Sequence, residues 1–154
     1  MNQRRFTSPT LVIVMLVIGI ILVLAISTFT SWQDAHYLNA TARELAADIR
    51  LLNQSAVNAG SATAAFSCNI AVTSSNYTVM IYNSTGLLST RTKSFPSGLS
   101  ANTATVTFTI SGRPCDSGGN ERLETDPDQE ITLTNSAGTK TIRINPVTGR
   151  VTVS

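Results

Sequence analysis

Residues 11–26 read LVIVMLVIGIILVLAI, a run that contains no polar or charged side chain. With residues 27–30 the stretch from Leu11 reaches about 20 residues, which as a helix is enough to cross roughly 30 Å of hydrocarbon. Only a helix can do so with a single segment, because lipid offers no partners for free backbone groups. The sequence therefore predicts a transmembrane helix half within residues 6–30.

Charge and aromatic residues suggest how this helix is oriented. Arg4 and Arg5 lie in a short basic leader, residues 1–5, and the positive-inside bias places that leader in the cytoplasm. Trp32 and Tyr37 follow the run at a depth typical of interfacial aromatic residues. A cleaved secretory signal is the alternative, but its apolar core is usually about 7–15 residues and ends at a small-residue cleavage site. We expect residues after the run to lie outside the cytoplasm.

Residues 31–59 continue the helix with a different pattern. One apolar stripe recurs at three- and four-residue spacing, which is typical of a helix that packs one face against a partner. Its members are Ala35, Leu38, Ala42, Leu45, Ile49, Leu52 and Ala56. No proline interrupts the chain from Thr10 to Gly60, so we predict one helix of about 50 residues.

From residue 60 to residue 154 the pattern is that of short strands. Segments such as Thr105–Ile110 and Ile131–Thr134 alternate apolar and polar residues, and Gly, Pro, Asn and Ser separate them. The loops at 135–139 and 145–150 resemble hairpin turns, which predicts an antiparallel meander for the last three strands. The helix stripe is expected to cover one face of this sheet, giving an α+β fold.

Two cysteines, Cys68 and Cys115, fall in the β-rich part. A disulfide between them is expected if this part lies in an oxidising compartment. The alternative is a pair of buried free thiols, and no CxxC spacing indicates a metal site.

The sequence contains few residues in arrangements suited to catalysis. His36 is the only histidine and falls on the predicted helix just beyond the apolar run, where an interfacial or packing role is favoured over catalysis. The acidic run Glu121, Glu124, Asp126, Asp128 and Glu130 lacks the spacing of an EF-hand and is interpreted as a solvated loop. We expect no enzymatic activity, no cofactor and no metal.

The order of these features resembles the type IV pilin-like proteins. Phe6 and Thr7 open the apolar helix and Gly19 lies inside it, as in that family's N-terminal signature. The segments TFTISGRPCDSGG, residues 107–119, and EITLTNSAGTKTIRINPVTGRVTVS, residues 130–154, resemble the GspH/FimT-type minor pseudopilins. The resemblance implies a single-pass protein of a bacterial inner membrane with a periplasmic domain.

Two residues depart from the family pattern. The family's peptidase cuts before the Phe and after a small residue, whereas Arg5 precedes Phe6 here, so processing at this bond is not implied. The family usually has a Glu where this chain has Thr10, and that Glu helps to dock a subunit into a filament. Its absence is typical of a subunit at a filament tip and equally of a divergent member.

The resemblance implies a structural subunit of a type II secretion pseudopilus or a type IV pilus. Leu11, Gly19 and Ala25 would belong to the helix that packs in the membrane and the filament. The partners would be other pilins, an inner-membrane assembly platform and an exported protein.

Two alternatives remain open. Some FimT-type proteins bind DNA through basic residues near the Gly-Arg turn, and Lys140, Arg143 and Arg150 are the candidate contacts here. Apart from Arg4 and Arg5, however, the chain is formally neutral. The other alternative is a single-pass anchored domain that never polymerises.

Overall fold

The computed structural model describes residues 8–59, 67–83, 86–116 and 120–154. Within these ranges the chain forms one long helix followed by short strands. The helix is α1 (Ser8–Ala59). The strands are β1 (Ser67–Val72), β2 (Asn76–Asn83), β3 (Gly86–Ser94), β4 (Ser100–Ala101), β5 (Ala104–Phe108), β6 (Pro114–Cys115), β7 (Gln129–Asn135), β8 (Gly138–Ile144) and β9 (Val151–Val153).

The strands form two antiparallel sheets rather than the single sheet that the sequence pattern suggested. The first sheet has the order β3-β2-β1-β5-β6, and the second has the order β4-β7-β8-β9. The predicted meander of the last three strands is confirmed, because β8 pairs with both β7 and β9. Strands β4 and β6 are only two residues long and carry no periodic pattern that could have predicted them.

The second half of α1 packs on both sheets through the predicted stripe. Six stripe residues are buried, and they are Leu38, Ala42, Leu45, Ile49, Leu52 and Ala56; Ala35 is half-buried. They share one core with inward-facing residues of both sheets, including Ile70, Phe108 and Ile142. The α+β architecture is therefore confirmed, with the helix closing the open side of both sheets.

The length of α1 agrees with the predicted continuous helix. It has 52 residues, which corresponds to about 78 Å at 1.5 Å per residue. Within the described ranges, no helix combines enough length and hydropathy to span a membrane. The predicted transmembrane half of α1 is therefore not confirmed and stays a prediction.

The two cysteines are free thiols, so the predicted disulfide is not formed and the alternative of two buried thiols applies. The strand register gives the reason. Cys68 pairs with Phe108, whereas Cys115 pairs with the preceding residue, Thr107, so the two thiols lie on opposite faces of the sheet. Strand β5 also separates them by two strand spacings, about 10 Å, which is too far for a disulfide. Burial raises the pKa of Cys68 to about 11, which disfavours the reactive thiolate.

Candidate functional site

The first part of α1 carries a surface unlike any other in the described chain. Every large apolar side chain from Leu11 to Leu22 is exposed, whichever direction it takes from the helix axis. These twelve residues contain no polar group, and we call them the apolar segment. The described strands and loops do not cover them, because the buried residues of α1 begin only at Leu38.

The structure describes only some of the residues to which the resemblance assigned a role at this end of the chain. Arg5 and Phe6 lie outside the described residues. Thr10 and Ala25 lie within α1. Gly19 lies in the middle of the apolar segment, and no neighbouring atom within 4 Å would meet a β-carbon added there. Gly19 therefore leaves a flat, open place on the helix surface.

The β7–β8 turn attaches the domain to α1 just beyond the apolar run. Asn135 Nδ2 donates a hydrogen bond to the backbone carbonyl of Asp34 at 2.6 Å. The hydroxyl of Ser136 donates to the Asp34 carboxylate. The tip of this hairpin is thus held at the level of Asp34, eight residues beyond the last residue of the apolar run, and fixes how closely the domain approaches that run.

Aromatic residues and the single histidine occupy the exposed side of α1 at the same level. The rings of Phe29 and Trp32 lie 6.2 Å apart, and those of Trp32 and His36 lie 5.6 Å apart. Phe29 and Trp32 are both exposed. His36 lies in the predicted place on the helix, and its exposed position is compatible with the interfacial role that the sequence favoured over catalysis.

A cluster of ionic contacts locks the middle of α1 to strands β2 and β3. Lys93 Nζ lies 2.6 Å from Glu44 Oε1 and 2.9 Å from Asp48 Oδ2. The hydroxyl of the buried Tyr77 donates to the same Asp48 oxygen at 2.6 Å. Burial alone would raise the pKa of Asp48, but the hydrogen bonds from Tyr77 and Lys93 outweigh it and hold that pKa below its ordinary value.

Because of this cluster, we expect the free energy of unfolding to depend on pH in the acid range. A carboxyl group with a lowered folded-state pKa stabilises the fold above its ordinary value of 3.8 and loses that contribution as pH falls through the folded-state value. We expect the free energy of unfolding to fall on acidification below about pH 4. Asp48→Asn should make the free energy of unfolding less dependent on pH below about pH 4 and should destabilise the protein at neutral pH, as measured by urea unfolding across pH. Glu124→Asn, at an exposed carboxylate, is the control. An equal loss of pH dependence in both variants would contradict the prediction.

The Gly-Arg turn that the sequence highlighted packs directly on α1. Asn53 Nδ2 donates to the carbonyl of Gly112 at 3.1 Å and to that of Gly149 at 3.4 Å. Arg50 Nη2 donates to the carbonyl of Val151 at 2.9 Å. Gly149 has φ +64°, a left-handed conformation that other residues rarely adopt. This turn therefore has a structural role, which is to bind the last hairpin to the helix.

The three candidate DNA contacts do not form one patch. Lys140 and Arg143 point to opposite faces of β8, because an odd number of positions separates them. Arg143 Nε also lies 2.8 Å from Glu130 Oε1, so its charge is partly neutralised. Arg150 and Arg50 both line a concave surface between α1 and β9. DNA binding stays a prediction that rests on Arg150 more than on the other two.

Arginines neutralise part of the acidic run between β6 and β7. Glu121 forms an ion pair with Arg113 at 2.9 Å, and Asp126 lies 3.9 Å from Arg122. Among the described residues, no group of three or more potential ligands is placed to hold a metal ion. Glu124 and Asp128 have no hydrogen bond or ion pair with the described part of the chain and project into solvent.

Sequence reasoning missed the side chains that join α1 to the strands. Asp48 directly precedes Ile49, and Asn53 directly follows Leu52. Ile49 and Leu52 belong to the apolar stripe, so both polar residues lie at the edge of the helix–sheet contact. A polar residue beside a buried stripe is a signal that it borders a packing surface. The partners, Tyr77, Lys93 and Gly149, are far away in the chain, and only the fold brings them near.

Comparison with known proteins gives no family for this chain. No family model matches it, no curated protein matches it, and no solved structure matches it.

Proposed function

We propose that this chain is a structural subunit of a pilus-like filament, a minor pilin or pseudopilin of a type IV pilus or a type II secretion machine. The first half of α1 anchors it in a bacterial inner membrane and later packs against sister subunits. One observation carries the proposal. The apolar segment is exposed on all sides, whereas the second half of the same helix is built into a folded domain.

Such a helix is unfavourable in water. A helix that is apolar all round is stable when lipid or other helices surround it, because each exposed apolar side chain otherwise orders or displaces water. The described part of the domain leaves the segment uncovered, and we propose that lipid or sister subunits cover it. In sequence the apolar character continues to Ile26, which extends the segment towards the length of a membrane span.

In a filament, the helices of neighbouring subunits would surround the apolar segment in place of lipid. In lipid there is no hydrophobic driving force between helices, so association depends on close packing and on small residues that let backbones approach. Gly19 supplies such a place in the middle of the segment. Thr10 in place of the family's Glu removes a charge pair, which fits a subunit at the tip of a filament. Other pilins, an assembly platform and an exported protein are the partners we propose.

Charged residues in the apolar segment are expected to abolish both membrane retention and association. Each arginine near the centre of a membrane helix opposes insertion by about 2.5–3.5 kcal/mol. Leu16→Arg with Ile20→Arg should release the full chain from membranes on alkaline extraction. Met15→Cys, on the same side of the helix as Gly19, is expected to form a disulfide dimer in membranes. Adding the two arginine substitutions to that variant should abolish the dimer.

The control places equal charges at equally exposed apolar positions of the domain. Leu16 and Ile20 are 60% and 56% exposed, and Leu88 and Leu87 are 63% and 54% exposed. Leu87→Arg with Leu88→Arg should leave retention and the Met15→Cys dimer unchanged. Release of the unmodified chain by alkaline extraction, or a dimer yield that falls in proportion to dilution with lipid, would overturn the proposed function.

A further inference from the structure

The exposed side of α1 just beyond the apolar run carries a shallow concave surface. Its volume is about 370 Å³, and its lining residues are Trp32, Ala35, His36, Asn39, Ala40 and Arg43. The four larger side chains recur at spacings of four, three and four residues, so they share one face of the helix. All four are exposed, because the strands pack on another face, the one that carries the buried stripe. We call this surface the basic face.

The basic face is positively charged, and no carboxylate lines it. The guanidinium of Arg43 and the ring nitrogens of His36 make no hydrogen bond or ion pair with the described residues. The acidic side chains nearest to them in sequence have other partners. Asp34 accepts a hydrogen bond from the β7–β8 turn, and Glu44 is paired with Lys93 on the other flank of α1. The basic face therefore offers a cation and free N–H donors, which suit an anion.

Helix geometry places the lower end of the basic face at the level of lipid headgroups when the chain is anchored as proposed. The twenty residues from Leu11 to Thr30 span about 30 Å, the thickness of the hydrocarbon core. Trp32 and His36 lie about 3 Å and about 9 Å beyond Thr30 along the axis, and the headgroup layer occupies about 5–7 Å on each side of the core. Helical side chains lean towards the N-terminus, so these two rings and the long Arg43 side chain lean back towards the bilayer.

The groups on this face match the parts of a phospholipid in order. Trp32 contacts the rings of Phe29 and His36 at 6.2 Å and 5.6 Å between centroids, which gives an aromatic base beside the glycerol and upper acyl chains. Above it, His36 offers an N–H and Arg43 offers its guanidinium to phosphate oxygens. A zwitterionic headgroup adds an ammonium group, which the Arg43 charge repels. The face therefore favours an anionic lipid.

We infer that the basic face binds the phosphate of an anionic phospholipid of the same bilayer, with Trp32 beside the glycerol and with His36 and Arg43 as the phosphate contacts. This inference rests on the proposed function, because the anchored helix holds the face at the membrane surface. Binding on one side of α1 fixes the rotation of the helix about its axis, and thus the direction in which the β-rich domain faces along the membrane.

Fluorescence of the full chain in vesicles tests the inference. Trp32 is the only tryptophan of the chain, so its emission reports the lipid that lies beside it. The vesicles contain equal parts of phosphatidylglycerol and phosphatidylcholine, and one lipid at a time carries bromine atoms on its acyl chains, which quench a neighbouring indole. We expect phosphatidylglycerol to be enriched about three- to fivefold beside Trp32, because one cation near an anionic surface contributes an attraction of that order.

Substitutions on the basic face separate a phosphate site from a general charge effect. Arg43→Gln with His36→Gln should reduce the lipid preference to about onefold, whereas Arg43→Lys, which keeps the charge, should retain most of it. Arg150→Gln is the matched control, because it removes an equal charge from an exposed arginine farther from the bilayer. An equal loss with Arg150→Gln, or no preference in the unmodified chain, would overturn the inference. Loss of the preference in free inorganic phosphate, but not in chloride of equal ionic strength, would assign the face to a soluble anion and also overturn it.

Alkaline extraction and the Met15→Cys dimer distinguish this inference from the proposed function. If the chain is retained and the dimer forms while Trp32 shows no lipid preference, the headgroup site is wrong and the proposed function stands. If alkaline extraction releases the chain, both fall. If retention and the lipid preference hold but no dimer forms, filament assembly falls and the headgroup site stands on membrane anchoring.

Discussion

Gly149→Ala is expected to lower the free energy of unfolding by about 2–5 kcal/mol. Gly149 has φ +64°, and a β-carbon there would lie 2.4 Å from Asn53 Nδ2 and 2.5 Å from the Gly112 carbonyl oxygen. Alanine would therefore add a left-handed backbone penalty to an overlap with a backbone atom that cannot move away cheaply. Urea unfolding of the full chain in detergent, followed by near-ultraviolet circular dichroism, measures the loss.

Gly98→Ala is the matched control for this substitution. Gly98 also has a positive φ, +83°, but no atom lies within 4 Å of the added β-carbon. Its alanine variant should show only the backbone penalty, about 1–2 kcal/mol. Equal losses for the two variants would mean that the close contact of the last hairpin with Asn53 and Gly112 does not exist. Membrane retention should be unchanged in both, because the apolar segment is untouched.

Leu45→Ala is the second substitution with a large expected effect. Leu45 is fully buried in the core that α1 shares with both sheets, and large-to-small changes at such sites destabilise by about 2–5 kcal/mol. Alanine favours helix at least as well as leucine, so the loss would report helix–sheet packing rather than helix formation. The same urea unfolding experiment measures it.

Leu51→Ala on the same helix provides the comparison. Leu51 is 59% exposed, so its truncation removes little buried surface and should change stability by about 0.5 kcal/mol or less. A large effect at Leu51 or a small one at Leu45 would show that α1 packs on the sheets with a different face.

The helix stripe illustrates what the sequence could predict. Leu38, Leu45 and Leu52 recur at seven-residue spacing, and helix geometry alone places them on one face. The structure buries all three. The strands over 76–83, 104–108 and 129–135 were predictable for a similar reason, since alternation depends only on neighbouring residues.

The cysteines illustrate what the sequence could not predict. Composition alone made a Cys68–Cys115 pair plausible, yet a one-residue difference in register puts the two side chains on opposite faces. The division into two sheets was unpredictable for the same reason. Strand pairing joins residues far apart in the chain, and an alternating pattern does not specify the partner of each strand.

The sequence by itself determined the long helix, its change from apolar all round to a single stripe, and the antiparallel order of the last three strands, because these depend on local periodicity and turn chemistry. Only the tertiary structure decided that Lys93 meets Asp48, that Asn53 meets Gly149, and that the strands divide into two sheets. Such contacts depend on strand register and packing, which are set by the whole chain at once.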